Sequence, residues 1–546
     1  MCGILGYTSL KKENIDKFPI KKILNTLKHR GPDSSKYIKM KNCYFGHTRL
    51  SIIGLNERKA FQPVFRSDKA LTFNGEIYNY KEISKKLNKS GIRDSGKSDT
   101  ETLFNCLNFY GLEKTLSIID GMYAFAYHDQ SKNLIYIVRD RIGEKPLYWS
   151  KNSSDFMFAS EMKSIFYSDI FKNSPNIDKM HEIFFHGKIH GKETAFSKIF
   201  ELEPGTFIEL NTKNNSYSVK NYWNIDDINI SDPNFIMDEF EDRFNNCIKS
   251  RLTSDVPVGS LISGGIDSSS LVYKMLELGN FNEIKLFFAQ NSIGRINEAA
   301  SVNIFFNFLR SKFKNKRINL NNLKNKISDY WKNIEKIAYY NDEPCSFTNF
   351  HLVYGLSKVI KKNNLKVIFS GEGSDEIFFG YERYRRTDLS FEKNKNNIES
   401  IFFGHSINHL NIIESILGDK SIIEKVKASN SWLWLNEIMK KFDLNTAQFL
   451  FSQKYRLLGL LQRQDRAAMA HGVESRAPFL KPSFVSWVNS IPMAYKYNRN
   501  IKTNKLVLRE YMKNYLHPNI VEREKIGFGS DFDHEYKMKE FQKKII

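Results

Sequence analysis

The sequence has little cysteine, and the cysteines present form no pattern. There are five in 546 residues, an odd number. No CxxC pair indicates a zinc site, and no dense spacing indicates a disulfide scaffold. We therefore expect reduced thiols, with Cys2 as the one candidate for chemistry. The five are Cys2, Cys43, Cys106, Cys247 and Cys345.

Long apolar runs are also missing. No stretch is long enough to span a bilayer, and the amino terminus lacks the basic start and apolar core of a signal peptide. The sequence therefore predicts a cytoplasmic protein with no membrane partner. Its hydrophobic content of 41% and aromatic content of 14% are typical of a folded chain. A chain of this length is too long for a single core, so we expect more than one domain.

Acidic residues are outnumbered by basic ones. Asp and Glu total 61 against 82 Lys and Arg, a net charge of +21. Such a charge can indicate nucleic-acid binding. The basic residues are scattered among Asn and Ile, however, as in SKKLNKSG and LRSKFKNKR, and this spacing is typical of solvated faces. We expect no nucleic-acid partner, and a nucleic-acid-modifying enzyme stays open as an alternative.

Short β-rich runs with turn residues dominate the chain to about Ser150. They include CGILGYTS, NCYFGHTRLSIIG, ALTFNGEIYNY and MYAFAYHDQSKNLIYIVRD, with few helical stretches between them. This pattern favours an α+β domain with antiparallel sheets. The segment to Asp232 is transitional, with a helix near ASEMKSIFYS and strands around GTFIELNTKNNSYSVKNYW. The polar run IDDINISDPN marks the expected domain boundary.

From Phe235 onward, strands alternate with helices. The helix MDEFEDRFNNCIKSRL leads into the strand VPVGSLI, a Gly-Ser turn, the helix SSLVYKMLELG and the strand EIKLFFAQ, and the strand LKVIFS follows later. This alternation favours an α/β domain with a parallel sheet and helices on both faces. The stretch from Leu389 to Asn445 is predicted to be helical and irregular, without chemistry.

Cys2 directly follows the initiator methionine. If Met1 is removed, Cys2 carries both a thiol and a free α-amino group. An α-amino group has a pKa of about 7.7, so it can accept the thiol proton near neutral pH. A thiolate that attacks an amide also requires donors aimed at the developing oxyanion. Accidental placement of this cysteine is the plain alternative.

Three motifs supply partners for such a nucleophile. FNGEIYN offers the Asn74 side-chain amide and the Gly75 backbone N–H as oxyanion donors, HTRLSI offers Arg49 for a carboxylate, and KSDTE offers Asp99 for an ammonium group. Together they suit the side-chain amide of a free amino acid. The alternatives are a hairpin turn at Asn-Gly, a surface ion pair at Arg49 and a helix cap at Asp99. His29, in HRGPD, is expected to be structural.

The motif LISGGIDSSS, residues 261–270, places Ser-Gly-Gly between a strand and a helix. The glycines let backbone N–H groups approach a phosphate, and a helix amino terminus favours the anion. The motif lacks the lysine of GxxxxGK[ST]. It resembles the pyrophosphate loop of enzymes that split ATP into AMP and pyrophosphate, with Asp267 as the acidic residue for Mg²⁺. A Gly-rich turn without a ligand is the alternative.

The motif VIFSGEGSDEIFFGYERY places a strand before an acidic loop. Open α/β sheets bind ligands at the carboxyl ends of their strands, so the carboxylates of Glu372 and Asp375 are expected to face the phosphate loop. We predict that Asp375 shares Mg²⁺ with Asp267. A merely solvated acidic loop is the alternative.

Taken in order, MCGILGY, HRGPD, GHTRLSI, FNGEIYN, SDTE and GMYAFAYHD resemble the N-terminal-nucleophile glutaminase domain of the asparagine synthetase B-type amidotransferases. VRDRIGEKPLYW and ASEMKSI continue the match. The two motifs for ATP resemble the synthetase domain of the same family, and the resemblance extends to about Gly529. It implies a glutaminase domain at residues 2–210, a pyrophosphate-loop ATP-dependent synthetase domain at residues 233–546, and a homodimer.

The resemblance also implies roles for residues of the first domain. Cys2 would hydrolyse glutamine through a thioester, and Asn74 and Gly75 would form the oxyanion hole. The residues implied to bind glutamine are Arg49, Leu50, Ser51, Ile52, Ile53, Asn74, Gly75, Glu76 and Asp99.

In the second domain, the resemblance implies that Glu372 helps to form the acyl-adenylate and to handle the ammonia nucleophile. Lys505 stands four residues before Arg509 and is implied to stabilise the transition state or pyrophosphate. The segment LQRQDRAAMAHGVESRAPFL is expected to form a wall of the site, or else plain helix packing. The residues implied to bind ATP are Leu261, Ser263, Gly264, Gly265, Asp267, Ser268, Gln290, Ser370 and Gly371, with Asp267 and Asp375 for Mg²⁺.

The implied reaction transfers ammonia from glutamine to an ATP-activated carboxylate, converting aspartate to asparagine and releasing AMP and pyrophosphate. A shielded apolar passage for ammonia between the two sites is a hypothesis. The segment FFAQNSIGRINEAAS departs from the family, which usually has Gly in place of Asn291 and an acidic pair near Glu298. This departure leaves open another acceptor carboxylate, such as a uronic acid of a surface polysaccharide.

Overall fold

The computed structural model describes residues 2–227, 237–291, 298–325, 327–344, 349–381, 384, 402, 414–415, 418–498 and 503–524. It confirms the predicted fold class, because antiparallel sheets are followed by a parallel α/β sheet. Most of the boundary run IDDINISDPN and much of the stretch from Leu389 to Asn445 lie outside the described residues. The described part of that stretch is helical, as predicted.

The amino-terminal part contains two six-stranded antiparallel sheets within the described residues. Its strands are β1 Gly3–Ser9, β2 Ser34–Lys39, β3 Cys43–Arg49, β4 Val64–Arg66, β5 Lys69–Ile77, β6 Gly121–Asp129, β7 Leu134–Arg139, β8 Tyr148–Lys151, β9 Asp155–Ala159, β10 Phe200–Glu201, β11 Thr206–Asn211 and β12 Tyr217–Asn221. The strand orders are β10-β8-β9-β1-β3-β2 and β12-β11-β7-β6-β5-β4. The helices are α1 Lys12–Lys17, α2 Ile20–Asn25, α3 Tyr80–Lys89, α4 Asp99–Ile118, α5 Met162–Phe166 and α6 Met180–His186.

The two sheets pack face to face and helices cover their outer faces. Phe45, Ala124 and Phe158 belong to the cluster between the sheets. Because both faces of each sheet are covered, β6 is buried at every position and shows no alternation of polar and apolar residues. The outer helices contribute side chains such as Ile23 and Leu103 to the clusters outside the sheets.

Helix α4 is the main element that the sequence pattern did not predict. It begins at Asp99 and bends at Gly111, where φ is +76°. Its first nine residues are all buried, polar and apolar alike. Because its first half is buried on all sides and much of its second half is exposed, α4 lacks the continuous apolar stripe that identifies a surface helix, and this explains the omission.

The carboxy-terminal part is built on a parallel sheet of order β15-β14-β13-β16-β17. Its strands are β13 Val258–Leu261, β14 Glu283–Asn291, β15 Arg317–Asn325, β16 Val367–Phe369 and β17 Glu474–Arg476, with the short pair β18 Tyr497–Asn498 and β19 Thr503–Asn504. Its helices are α7 Met237–Arg251, α8 Ile266–Leu278, α9 Glu298–Lys312, α10 Ile327–Asn341, α11 Phe350–Lys362, α12 Ser374–Ile377, α13 Ile422–Lys427, α14 Asn430–Lys441, α15 Leu444–Phe451, α16 Leu457–Met469, α17 Pro482–Ser490, α18 Leu506–Met512 and α19 Pro518–Val521.

Helices cover both faces of the parallel sheet. Helix α8 and its neighbours pack Leu271 and Val302 on one face, and α11 and α16 pack Leu356 and Ala468 on the other. The strand order reverses at β13, since β14 lies on one side and β16 on the other. Such a reversal opens a crevice at the carboxyl ends of the two strands, where ligands of open α/β sheets bind.

A first prediction concerns the sandwich core. Phe125 on β6 is fully buried, whereas Phe109 on α4 is 46% exposed. We expect Phe125→Ala to lower the free energy of unfolding by about 3–5 kcal/mol, since it removes a buried ring and leaves a cavity. The matched Phe109→Ala should cost less than about 1 kcal/mol. Urea unfolding measures both, and equal losses would contradict this packing.

Candidate functional site

Cys2 is buried at the start of the amino-terminal sandwich. It immediately precedes β1, whose neighbours in the sheet are β3 and β9. Its side chain is buried, and its backbone N–H donates to Oδ1 of Asn74 over 2.8 Å, which joins the first sheet to the second. The carbonyl oxygen of Cys2 accepts from Nε of Arg30 at 3.0 Å. These contacts fix the backbone of Cys2 on both sides.

Asn74 and Gly75 lie within β5 and not in a hairpin turn. Since Oδ1 of Asn74 accepts from Cys2, its Nδ2 faces away, and this buried donor has no hydrogen-bond partner among the described residues. Gly75 has φ of +149°, and an added Cβ would lie 2.0 Å from the Met122 carbonyl oxygen. Only glycine fits there. The pair thus places an unpaired donor beside Cys2.

The segment from Arg49 to Ile53 follows β3 and passes Cys2. The Leu50 carbonyl oxygen lies 4.0 Å from Cys2 Sγ. Nη2 of Arg49 donates to the Gly54 carbonyl at 2.8 Å. The Ser51 N–H donates to the Asp33 carboxylate at 2.7 Å. Ile52 and Ile53 are buried, so the predicted glutamine-binding segment lies against the nucleophile.

A cluster of buried carboxylates lies near Cys2. Burial raises the pKa of Glu76 well above its usual range, and the charges of Glu474 and Asp99 raise it further. Oε2 of Glu76 has no hydrogen-bond partner among the described residues. Burial raises the pKa of Asp99 to about 6, although the N–H groups of Ile77 and Thr100 oppose this shift. Arg476 lies 2.7 Å from Glu474 and 3.7 Å from Glu76. Three carboxylates therefore face one guanidinium, and the cluster can accept a further cationic group of a ligand.

The thiol of Cys2 is held in its neutral form. Burial raises its pKa above the ordinary value, and the Glu76 carboxylate raises it too, whereas Arg49 and the Leu50 backbone oppose the shift. A neutral buried thiol requires a nearby proton acceptor before it can attack. The α-amino group predicted on Cys2 after removal of Met1 would be such an acceptor.

The second predicted site lies at the carboxyl ends of β13 and β16. Between β13 and α8 the chain turns at Gly264, where φ is +67° and an added Cβ would meet the Ser301 backbone at 2.9 Å. The Ser263 N–H donates to Ser268 Oγ at 3.1 Å, and the Gly265 N–H donates to Ser263 Oγ at 3.4 Å. Serine hydroxyls thus accept from these two amides, and a 13-residue helix, whose amino terminus favours an anion, begins directly after the turn.

Lys505 bridges the two predicted magnesium ligands. Its Nζ lies 2.5 Å from Asp267 Oδ2 and 2.6 Å from Asp375 Oδ1, and the lysine is fully buried. It adopts the left-handed conformation, with φ of +55°, at the start of α18. Gly380 leaves room for it, since a Cβ there would lie 2.3 Å from Lys505 Cε. The sequence predicts that Asp267 and Asp375 lie near each other, and the structure places Lys505 between them.

A cavity of about 300 Å³ opens beside this cluster. Glu372 lines it, and Oε1 of Glu372 accepts from Nη2 of Arg463 at 2.5 Å. The residues predicted to bind ATP that line the cavity are Leu261, Ser263, Asp267, Ser268, Ser370 and Gly371. Gln290 is not among the described lining residues, and its Oε1 accepts from Asn322 at 2.8 Å. Its neighbour Ala289 lines the cavity in its place.

Several charged residues of the two sites were missed as candidates. Arg30 follows His29 in HRGPD, and it contacts Cys2 directly. Glu161, in ASEMKSI, accepts from His29 Nε2 at 3.1 Å and from Arg30 Nη1 at 2.8 Å. Arg463 lies in LQRQDRAAMAHGVESRAPFL, which is expected only to form a wall of the second site or to pack as a helix. The clustering of charge within these motifs was the available signal.

The Lys505 bridge generates a stability prediction. We expect Lys505→Met to lower the free energy of unfolding by about 3–5 kcal/mol, because it leaves two buried carboxylates without their cation. Lys513→Met breaks an exposed pair with Glu510 and should cost less than about 1 kcal/mol. Urea unfolding at neutral pH measures both, and a small loss for Lys505→Met would argue against the bridge.

Comparison with known proteins agrees with both halves of the structure. Residues 1–223 match the glutamine amidotransferase domain family. Residues 239–546 match the asparagine synthase family. The second match covers more than half of the chain.

Named relatives extend along most of the chain. It is 30% identical over 404 residues to the putative glutamine-hydrolyzing asparagine synthetase 2 of Methanocaldococcus jannaschii, covering 70% of this chain and 76% of the relative. It is 27% identical over 591 residues to the glutamine-hydrolyzing asparagine synthetase 1 of Bacillus subtilis, covering 100% and 90%. It is 25% identical over 566 residues to amidase chyE of Penicillium rubens, covering 90% and 82%. The chain therefore belongs to the asparagine synthase family, as a glutamine-hydrolysing, ATP-dependent amidotransferase.

Proposed function

We propose that the chain converts aspartate to asparagine with ammonia from glutamine. Two features of the second cavity support this acceptor. Arg463 is the one cationic side chain among the described lining residues and suits a carboxylate, and Glu372, Asp375 and Glu376 suit an ammonium group. An amino acid carries both groups, whereas a uronic acid carries no ammonium group to offset the excess of carboxylates in this cavity. This pairing of charges carries the proposal.

In the first half-reaction, Cys2 is the nucleophile. Its α-amino group, free after removal of Met1, takes the thiol proton, and the sulfur bonds to the amide carbon of glutamine. The unpaired Nδ2 of Asn74 and the Gly75 N–H donate to the developing oxyanion. The C–N bond then breaks with proton transfer to nitrogen, so ammonia leaves, and water hydrolyses the thioester to glutamate.

We propose that Arg49 holds the glutamine carboxylate and that Asp99 and Glu76 hold its ammonium group. The backbone from Leu50 to Ile53 would form the wall beside the amide. Support comes from the position of this segment against Cys2 and from the unpaired Oε2 of Glu76. A buried acceptor without a partner is costly, and a bound ammonium group would satisfy it.

In the second half-reaction, the aspartate side-chain carboxylate attacks the α-phosphorus of ATP and pyrophosphate leaves. Ammonia then attacks the acyl-adenylate carbonyl, and AMP leaves with the bonding electrons. We propose that the turn from Ser263 to Ser268, with Leu261, Ser370 and Gly371, binds the nucleotide. Lys505 would stabilise the pyrophosphate, and Glu372 would accept a proton from the attacking nitrogen.

We propose that Asp267 and Asp375 would bind Mg²⁺. Their carboxylate oxygens converge on one position, which Lys505 Nζ occupies in this structure. Mg²⁺ is commonly bound by one or two carboxylates together with substrate phosphates. When bound, the ion would supply positive charge to the phosphate oxygens.

A small cavity of about 20 Å³ supports passage of ammonia between the units. It is lined by Glu144 and Lys145 of the amino-terminal part and by Glu372, Leu461 and Asp465 of the carboxy-terminal part. Its volume suits a molecule of the size of water. The lining is more polar than the apolar passage expected from the sequence.

No helix within the described residues is long and apolar enough to cross a bilayer.

The variant Cys2→Ala tests whether glutamine hydrolysis and ATP-dependent amidation take place at separate sites. We expect loss of glutamine-dependent product with ammonia-dependent product retained, because the variant removes only the sulfur nucleophile. The measurement is pyrophosphate release with ATP, aspartate and either nitrogen source. Equal loss of both activities would contradict the assignment.

The identity of the acceptor is tested by measuring pyrophosphate release with ammonia as donor and a panel of carboxylic acids that includes a uronic acid.

The raised pKa of Asp99 predicts a pH dependence for glutamine. Burial raises this pKa to about 6, so Asp99 gains a proton as the pH falls through about 6 and then no longer attracts an ammonium group. We expect the KM for glutamine to rise by up to about tenfold between pH 6 and pH 5. In Asp99→Asn, KM should be high and nearly constant over this range. A flat KM in the native chain would oppose this role.

A further inference from the structure

Four successive polar residues of α16 are buried at the junction of the two halves. Arg463, Gln464, Asp465 and Arg466 are each at most 4% exposed. Burial of charge is costly unless each group is paired. Successive helical residues point about 100° apart, so one turn can contact several surrounding elements. The partners of these four residues therefore show what this turn joins.

Asp465 reaches the amino-terminal site through Arg30. Its two carboxylate oxygens accept from Nη1 and Nη2 of Arg30 at 2.8 Å and 3.3 Å. Nε of the same guanidinium donates to the carbonyl oxygen of Cys2 at 3.0 Å. The bidentate pair fixes the plane of the guanidinium. A carboxylate from the carboxy-terminal half thus orients the Arg30 guanidinium that donates to the carbonyl oxygen of Cys2.

The surrounding charges keep this contact in place. Nη1 of Arg30 also donates to Glu161 at 2.8 Å, and Nη1 of Arg466 lies 3.0 Å from Glu161 and 3.2 Å from Asp342. Burial alone would raise the pKa of Glu161, but His29 and its cationic neighbours hold it well below its usual range. Glu161 therefore stays charged, and Asp465 is the second carboxylate that Arg30 requires.

The same turn of α16 also contacts residues that line the larger cavity of the carboxy-terminal half. Arg463, two residues before Asp465, donates to Oε1 of Glu372 at 2.5 Å and to Oδ1 of Asn349 at 3.1 Å. Both partners line the larger cavity. One turn of helix thus contacts Glu372 directly and Cys2 through one intervening side chain.

We propose that Asp465 is a positioning residue for Cys2, so that the glutaminase site is completed by the synthetase half of the chain. This inference rests on the proposed role of Cys2 in glutamine hydrolysis. Loss of the Asp465 charge frees the Arg30 guanidinium to rotate, which moves the Cys2 carbonyl and the sulfur nucleophile. Displacement of a reacting atom lowers kcat more than it weakens binding of a substrate held by other residues.

The test compares Asp465→Asn with a matched control, Glu343→Gln. Glu343 also contacts α16, since its Oε1 accepts from Gln462 at 2.7 Å. This hydrogen bond involves neither Cys2 nor Glu372. We expect Asp465→Asn to lower kcat for glutamate release from glutamine by about ten- to a hundredfold with a small change in KM. Glu343→Gln should change kcat by less than about twofold. Asp465→Glu should recover part of the lost rate.

Two further readouts separate positioning from folding. The ratio of glutamine-dependent to ammonia-dependent pyrophosphate release should fall in Asp465→Asn, because folding defects would lower both rates together. The rate of alkylation of Cys2 by iodoacetamide, followed by peptide mass spectrometry, should differ at least about threefold from that of Glu343→Gln. Alkylation needs no glutaminase activity, so it tests the positioning even if the native chain releases no glutamate and the proposed function fails. An unchanged ratio and alkylation rate, or equal loss of both activities, would overturn the inference.

Discussion

The buried ion pairs around Arg30 are the constraint on which the arrangement of the two halves depends. Arg30 and Glu161 come from the amino-terminal sandwich, and Asp342, Asp465 and Arg466 come from the parallel-sheet half. Each charge is almost fully removed from water, so none is stable without its partners. Separation of the halves would expose or orphan all of them together. This requirement fixes the orientation of one site relative to the other.

Each site uses an unusual backbone position to bring groups close. Gly75 occupies a conformation and a space that no other side chain fits, and this keeps Asn74 beside Cys2. Lys505 lies in the left-handed region and reaches two carboxylates past Gly380. Strain of this kind persists only where the surrounding packing determines the local structure. Both positions lie next to the groups with the proposed chemistry.

The proposed chemistry follows from what each site leaves unsatisfied. The amino-terminal site presents an unpaired amide donor at Asn74 and an unpaired carboxylate oxygen at Glu76, which match an oxyanion and an ammonium group. In the carboxy-terminal cavity the described lining carboxylates outnumber the one cation, Arg463, which is paired with Glu372. In the proposed function, ammonia released at the first site is consumed at the second, and a single turn of α16 contacts both sites.

The sequence by itself determined the fold class and predicted two sites with named residues, because glycine turns, strand-to-helix transitions and local charge patterns are short-range signals. It did not predict α4, whose first half is buried on all sides, nor the edge strands β15 and β17. Only the tertiary structure decided that Arg30 belongs to the first site, that Gln290 turns toward Asn322, and that Lys505 joins Asp267 to Asp375. These contacts join residues far apart in the chain, and their geometry depends on how the layers pack.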